Sequence, residues 1–403
     1  MELHPPKDLV NADLAIARYG DDGERWLSAM WQGDALADAV VNDDFVGSSA
    51  TEAVRTALEH GIDAVDHAPE SLRALFAFLD DEPDWVDHTR LDRAADALIR
   101  HTASLGIVLA AASLLRGAEN TIAGKPLVQT GRYVSMPAIR SVEVGEWLRQ
   151  VISPGGMRRD GAGFAYTVRV RIIHAHVRRG LSRSGTWDEA AWGVPIPQPF
   201  MAFTMAEFGH IALDAMHRLG VRFSDADLDA IYHLWRYVGH VIGMTLDLNP
   251  VDEADHVRIE ELYRLTSPGP DDNDREFVVA LTDDYLIPEL ANALPGPPAA
   301  RSVISTRLVH GLQRVFLGDD AADALGVPNT RLKHVIRATE PLMVGFGRVR
   351  MRIGGGPQQV SQRGYRIRDE EMTRMRAAYG VTHELVDNAP GEHEIAATRA
   401  SVH

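Results

Sequence analysis

Apolar residues recur along most of this chain at three- and four-residue spacings, and strand-like alternation is scarce. That rhythm lines up side chains on one face of a 3.6-residue helix. It predicts helices over 24–41, 50–60, 69–78, 90–116, 137–152, 163–180, 200–219, 225–246, 274–292, 300–317 and 328–347. Ser224 stands before Asp225 and Asp227, a cap followed by acids that suit a helix N-terminus. Gly180 and Gly220 sit where helices should stop. Pro195, Pro197 and Pro199 predict a rigid loop between two helices. Ser267 to Asp274 and Pro295 to Pro298 read as loops, each short for an interdomain linker. Gly354 to Gln358 reads as a glycine-rich turn without the βαβ setting of a phosphate cradle. Periodicity fades after about Thr382. The expectation is an all-α protein, with one multi-helix domain over 1–382 and a flexible tail over 383–403.

Composition narrows the class. With 403 residues and 45% hydrophobic content the chain can bury a large core. Its formal net charge is −16, where a nucleic-acid binder would carry a basic surplus. The same charge disfavours electrostatic docking on an anionic membrane. There are no cysteines, which removes disulfides, thiolate zinc sites, iron–sulfur clusters and thiolate-ligated or thioether-linked haem. The N-terminus lacks a basic stretch followed by an apolar one, and the longest apolar run, Leu105 to Leu115, is short of a bilayer span. These features predict a cytoplasmic protein with no integral membrane segment. Its oligomeric state is not legible in the sequence.

One segment carries candidate chemistry. In Tyr166 to Gly180, Val170, Ile173, His174, Val177 and the following Leu181 share a helical stripe, so His174 points inward. Arg178 lies one turn after it and Arg171 one turn before. A buried neutral imidazole can ligate iron, and a nearby Arg can pair with a carboxylate of a cofactor. Spacing alone equally allows a core histidine bonded to a neighbouring helix and flanked by surface arginines. His176 falls on a different face from His174 and cannot share one metal with it. Glu207/His210 and Asp214/His217 form two acid-x-x-His pairs, but both lie on one helix, whereas di-iron sites draw such pairs from two. His233 and His240 read as packing or pocket-edge residues around Trp235. No nucleophile elbow, P-loop or dinucleotide fingerprint is present.

An ordered series of segments resembles the latex-clearing-protein (rubber oxygenase) family and its wider group of MpaB-type haem oxygenases. The series runs Gly33 to Ala39 (GDALADA), Lys125 to Arg132 (KPLVQTGR), Arg140 to Val144 (RSVEV) and Pro154 to Met157 (PGGM). It continues with Arg169 to Arg179 (RVRIIHAHVRR), Pro195 to Gln198 (PIPQ) and Tyr232 to Gly243 (YHLWRYVGHVIG). The resemblance spans roughly residues 25–250. It implies a globin-like haem-binding core with flanking helices, and haem b held by His174 as the proximal iron ligand. It implies that Arg178 pairs with a haem propionate, with Arg171 beside it, and that Arg140 is a distal polar residue in catalysis. Glu143 and Glu119 are the candidate distal carboxylates. Two departures bear on the distal side. Glu143-Val144 stands where rubber oxygenases have Lys-Thr, and the turn around Pro197 to Phe200 is more apolar than in the family. The implied reaction is cleavage of an isoprenoid-type C=C bond by dioxygen in a small lipophilic substrate. A haem sensor or carrier without turnover, and a peroxidase-like enzyme, are the other readings.

Overall fold

The computed structural model describes residues 4–43, 48–131 and 137–381. Among them every regular element is helical and no strand occurs. Helices pack around a main apolar core with two small satellite clusters, and the largest fully buried side chains include Trp26, Trp235, Tyr263, Phe76 and Phe164. The all-α, single-domain expectation therefore holds. Arg132, of the KPLVQTGR segment, and the tail over 383–403 lie outside the described residues.

Several predicted helices are divided, each for a local reason. The run predicted over 24–41 breaks at Gln32 to Asp34, between Asp21–Ser28 with its 3-10 continuation Ala29–Trp31, and Ala35–Asn42. Asp34 starts the later helix by accepting the Ala37 N–H at 3.2 Å. Gly33 has room for no side chain, because a Cβ there would lie 2.6 Å from Arg178 Nε and 2.7 Å from Asp38 Oδ2. The run predicted over 90–116 becomes His88–Ile99 and a second helix from Thr102 to Gly117, bent by 83°. Arg100, at the bend, is held by Asp227 at 3.1 Å.

Several helices are additions to the prediction, Ala12–Tyr19, Glu189–Trp192 and Asp319–Ala324 among them. Thr121–Gln129 starts from the Asn120 cap and contains Pro126; Glu253–Leu265 starts from the Asp252 cap. Pro357–Ala378 follows directly on the predicted glycine turn, where Gly355 and Gly356 have φ of 87° and 90°. It is strongly polar outside a narrow buried stripe, so hydrophobic periodicity gives it little signal. Gly180 does not stop its helix, which runs to Arg183 as Ala162–Arg183. Ser224 does cap Asp225–Val241, accepting from Asp227 N–H.

The prolines behave as predicted, and the residue between them explains the turn. Gln198 is fully buried; its amide donates to the carbonyls of Gly33 (2.8 Å) and Gly243 (3.0 Å), and its oxygen accepts the Thr245 N–H (3.0 Å). One side chain thus ties three chain segments behind the His174 helix.

Three helices each contain one π-turn: Leu109–Ser113, Glu207–Ile211 and Thr282–Leu286. A π-turn widens the backbone by one residue and is found preferentially at functional sites. Residues from all three line the same cavity, and the Ser113 hydroxyl joins two of them by donating to the Glu207 carbonyl at 2.7 Å.

Candidate active site

The cavity has a volume of about 750 Å³, within the range of sites that enclose small ligands, about 300–1,000 Å³. Its walls are mainly apolar and aromatic, with Trp147, Phe203, Phe208 and Tyr263 prominent. Phe203 and Tyr263 stack at 3.5 Å, and Phe208 stacks on Trp235 at 5.1 Å, so this wall is rigid.

The His174 helix presents Val170, Ile173, His174 and Val177 to the cavity, as the stripe predicts, while Leu181 is buried away from it. His174 lies deep in the protein, and its Nδ1 is buried with no hydrogen-bond partner. Burial, reinforced by the positive charges of Arg178 and Arg140, pushes its pKa down to about 4, so the ring is neutral at neutral pH. A core histidine satisfied by a neighbouring helix does not look like this. The flanking arginines are not surface groups either: Arg171 is 2% and Arg178 6% exposed.

The two arginines differ. Arg171 spends its guanidinium on Asp34, at 2.6 and 2.9 Å, and on the Val241 carbonyl at 3.3 Å. It fixes the His174 helix to the cap of Ala35–Asn42 and is not on the cavity wall, so its placement is structural rather than cofactor-facing. Arg178 pairs with Asp38 (2.8 Å) and the Ile196 carbonyl (3.0 Å), yet its second terminal nitrogen is buried without a partner. That leaves one donor beside His174 uncommitted.

Arg140, Glu143 and Val144, from the helix Pro137–Val151, all line the cavity that His174 lines. Glu119 does not. It is bound to Arg116 at 2.6 Å and Arg264 at 3.3 Å, in an ion cluster that pins the end of the Thr102 to Gly117 helix to Glu253–Leu265. This placement leaves Glu119 outside the cavity wall.

The cavity's buried acid is instead Glu207, in the second π-turn. Burial raises its pKa to about 8, with only the Thr204 hydroxyl opposing, so at neutral pH its carboxyl is predominantly protonated. Gly117 makes the space for it: a Cβ at that position would lie 2.7 Å from Glu207 Oε1. The available sequence signal was a lone acid within the apolar run from Pro199 to Leu213. Reading Glu207 with His210 as a metal-type pair obscured it. His210 turns to Glu253 and Glu260, at 3.8 and 3.9 Å, and Asp214 pairs with Arg218 at 2.8 Å. His233 accepts the Asp87 N–H at 3.0 Å, and His240 packs among Phe78, Trp85 and Tyr237.

Residues 98–347, well over half of the chain, match the family described as ER-bound oxygenase mpaB/B'/Rubber oxygenase, catalytic domain. The chain belongs to this family. It is 24% identical over 291 residues to the rubber oxygenase of Streptomyces sp. (strain K30), an alignment covering 69% of this chain and 66% of that protein. The chain thus spans just under two thirds of that relative. The solved structure of latex clearing protein LCP in the closed state superposes with a TM-score of 0.65 at 17% identity, over 84% of this chain and 91% of that one. At that identity the match establishes the fold. Family membership bears out the predicted resemblance, and most of the cavity lining falls within the matched region, with Arg368, Glu371 and Arg374 beyond it. The matched region covers His174, Arg140, Glu143 and Glu207.

Proposed function

We propose that the protein is a haem b-dependent oxygenase that adds dioxygen across a C=C bond of a lipophilic, isoprenoid-type substrate, giving two carbonyl products. The observation that carries this reading is His174: a neutral imidazole without an internal partner at Nδ1, on the wall of a large apolar cavity. These residues fit a haem. In a cysteine-free chain the His174 imidazole would hold the iron, and the uncommitted nitrogen of Arg178 suits a propionate. Bound there, haem would supply the iron that activates dioxygen.

The chain's own groups then divide the remaining work. His174 would hold the iron, and Asp34, through Arg171, fixes the helix that carries His174. Arg140 puts a positive donor into the cavity, where it favours negative charge developing on oxygen. Glu143 is the carboxylate placed to take an allylic proton. Glu207 keeps its proton at neutral pH and can give it to an oxygen atom forming on the substrate. The aromatic wall binds the hydrocarbon and excludes water.

The test has two stages. Absorption spectra of the purified protein, oxidised, reduced and reduced with carbon monoxide, should show stoichiometric haem with histidine ligation. Incubation with a short polyisoprenoid under 18O2 should then yield carbonyls labelled at both new termini. A protein that takes up no haem, or that turns over only with hydrogen peroxide, would overturn the proposal.

A further inference from the structure

The helix Leu332–Ile353 rests on Pro298–Leu317, where Ile336 and Leu332 meet the Gly311 backbone. Apart from Met343, which lies against Gly220, its other face meets little among the described residues. Val335, Leu342, Met343, Phe346, Val349 and Ile353 are 54, 73, 47, 62, 50 and 81% exposed. They are six of the fifteen large apolar side chains that stand exposed among the described residues, so exposure is concentrated on this one helix. Positions 335, 342, 346, 349 and 353 fall on a single stripe, with 343 at its edge.

Charge on the helix runs against that of the chain. The segment contains Arg337, Arg348, Arg350 and Arg352 against Glu340 alone, its Lys333 being buried against Asp319 at 2.6 Å, in a chain of net charge −16. Arg337, Arg348 and Arg350 are exposed. An apolar stripe beside arginines is the pattern of a helix that lies in a membrane interface, with its stripe among the acyl chains and its cations at the headgroups. It is not a span, since no single helix among the described residues is long and apolar enough to cross a membrane.

We propose that Leu332–Ile353 docks the protein peripherally on an anionic lipid surface. Charge complementarity selects this occupant. A second copy meeting stripe to stripe would set the same arginines against each other, whereas anionic headgroups neutralise them. The supporting helix also exposes Val303 and Ile304, 54 and 48%, and lines the cavity with Val309 and Leu312. A membrane-dissolved hydrocarbon would thus be held one helix layer from the cavity. The docking itself does not depend on the oxygenase reading.

The experiment is flotation of the full-length protein with phosphatidylcholine vesicles, with and without phosphatidylserine, at low and high salt. Binding is expected to need phosphatidylserine and to weaken as salt rises. Leu342→Glu/Phe346→Glu and, separately, Arg337→Glu/Arg348→Glu should each lower binding by roughly tenfold or more, with unchanged circular dichroism and haem uptake. Sedimentation velocity of the same proteins separates the alternative. Three results overturn the proposal: no binding to either vesicle, equal binding by wild type and both double variants, or no binding by a dimeric wild type that Leu342→Glu/Phe346→Glu converts to a monomer.

Discussion

The His174 wall and the Glu207 wall of one cavity each hold an ionisable group in its neutral form, but they reach it from opposite sides of neutrality. His174 is a base whose pKa is pushed down to about 4 by burial and by two arginines. Glu207 is an acid whose pKa is pushed up to about 8 by burial, with no cation brought to compensate. At neutral pH the first has lost its proton and the second keeps it. The first can therefore donate a lone pair and the second a proton. Burial alone yields this pairing once one base and one acid share an apolar cavity.

The two walls should separate cleanly under mutation. The largest effect is expected for His174→Ala, which should abolish stoichiometric haem binding as read by the Soret band, while Glu207→Gln keeps it. If both variants keep a wild-type spectrum, another residue ligates the iron and the contrast fails.

Glu207→Gln keeps the shape of the neutral carboxyl but cannot release a proton. Turnover should fall by roughly 10²-fold or more, and any limb of the pH–rate profile near 8 should disappear. Stability gives an independent reading. The folded pKa is raised from the usual value near 4.5 to about 8. Relative to the variant, the wild type's stability should be fully present below about pH 4.5 and lost progressively as pH rises to about 8, by on the order of a few kcal/mol. Urea unfolding of both proteins at pH 5 and pH 8.5 measures this, and a pH-independent difference would mean that the carboxyl is not held neutral.

Arg140→Ala should lower turnover by about tenfold without lowering haem content. Normal turnover in this variant would remove Arg140 from the distal chemistry. Gly117→Ala is a subtler probe of the Glu207 wall. The added Cβ crowds Oε1, the far end of a flexible side chain, so the carboxyl should swing aside at little cost in stability. Activity should fall by less than in Glu207→Gln, with the spectrum intact; loss of haem instead would show the two walls to be mechanically linked. The smallest effect is expected for Val144→Thr, which adds one donor to the cavity lining and should shift the carbon monoxide stretching frequency of the reduced protein, leaving haem content unchanged. An unshifted band would place residue 144 away from the bound gas.

Bulk charge teaches a related lesson. A net charge of −16 argues against an anionic surface as a partner, yet Leu332–Ile353 carries exposed arginines together with six exposed large apolar side chains. An average over the chain says little about one face of one helix, because screening confines each charge to its neighbourhood.

By itself the sequence determined the all-helical class, the inward stripe that carries His174, and the ordered segments that mark the family. Helical periodicity fixes which residues share a face, and in Ala162–Arg183 that face is unambiguous. The tertiary structure decided what each inward or flanking residue meets. Arg171 and Arg178 are equivalent on a helical wheel, but only packing gave the first to Asp34 and left the second with a spare donor. Glu119 and Glu207 are both acids near apolar runs. Arg116 and Arg264 hold the first in an ion cluster, while a π-turn and the missing side chain of Gly117 open the cavity wall to the second. The sharp bend at Arg100 and His101 depends likewise on a partner, Asp227, more than a hundred residues away. Local rhythm determines a face; which charge waits opposite that face is a long-range fact, set only when the helices close around their common core.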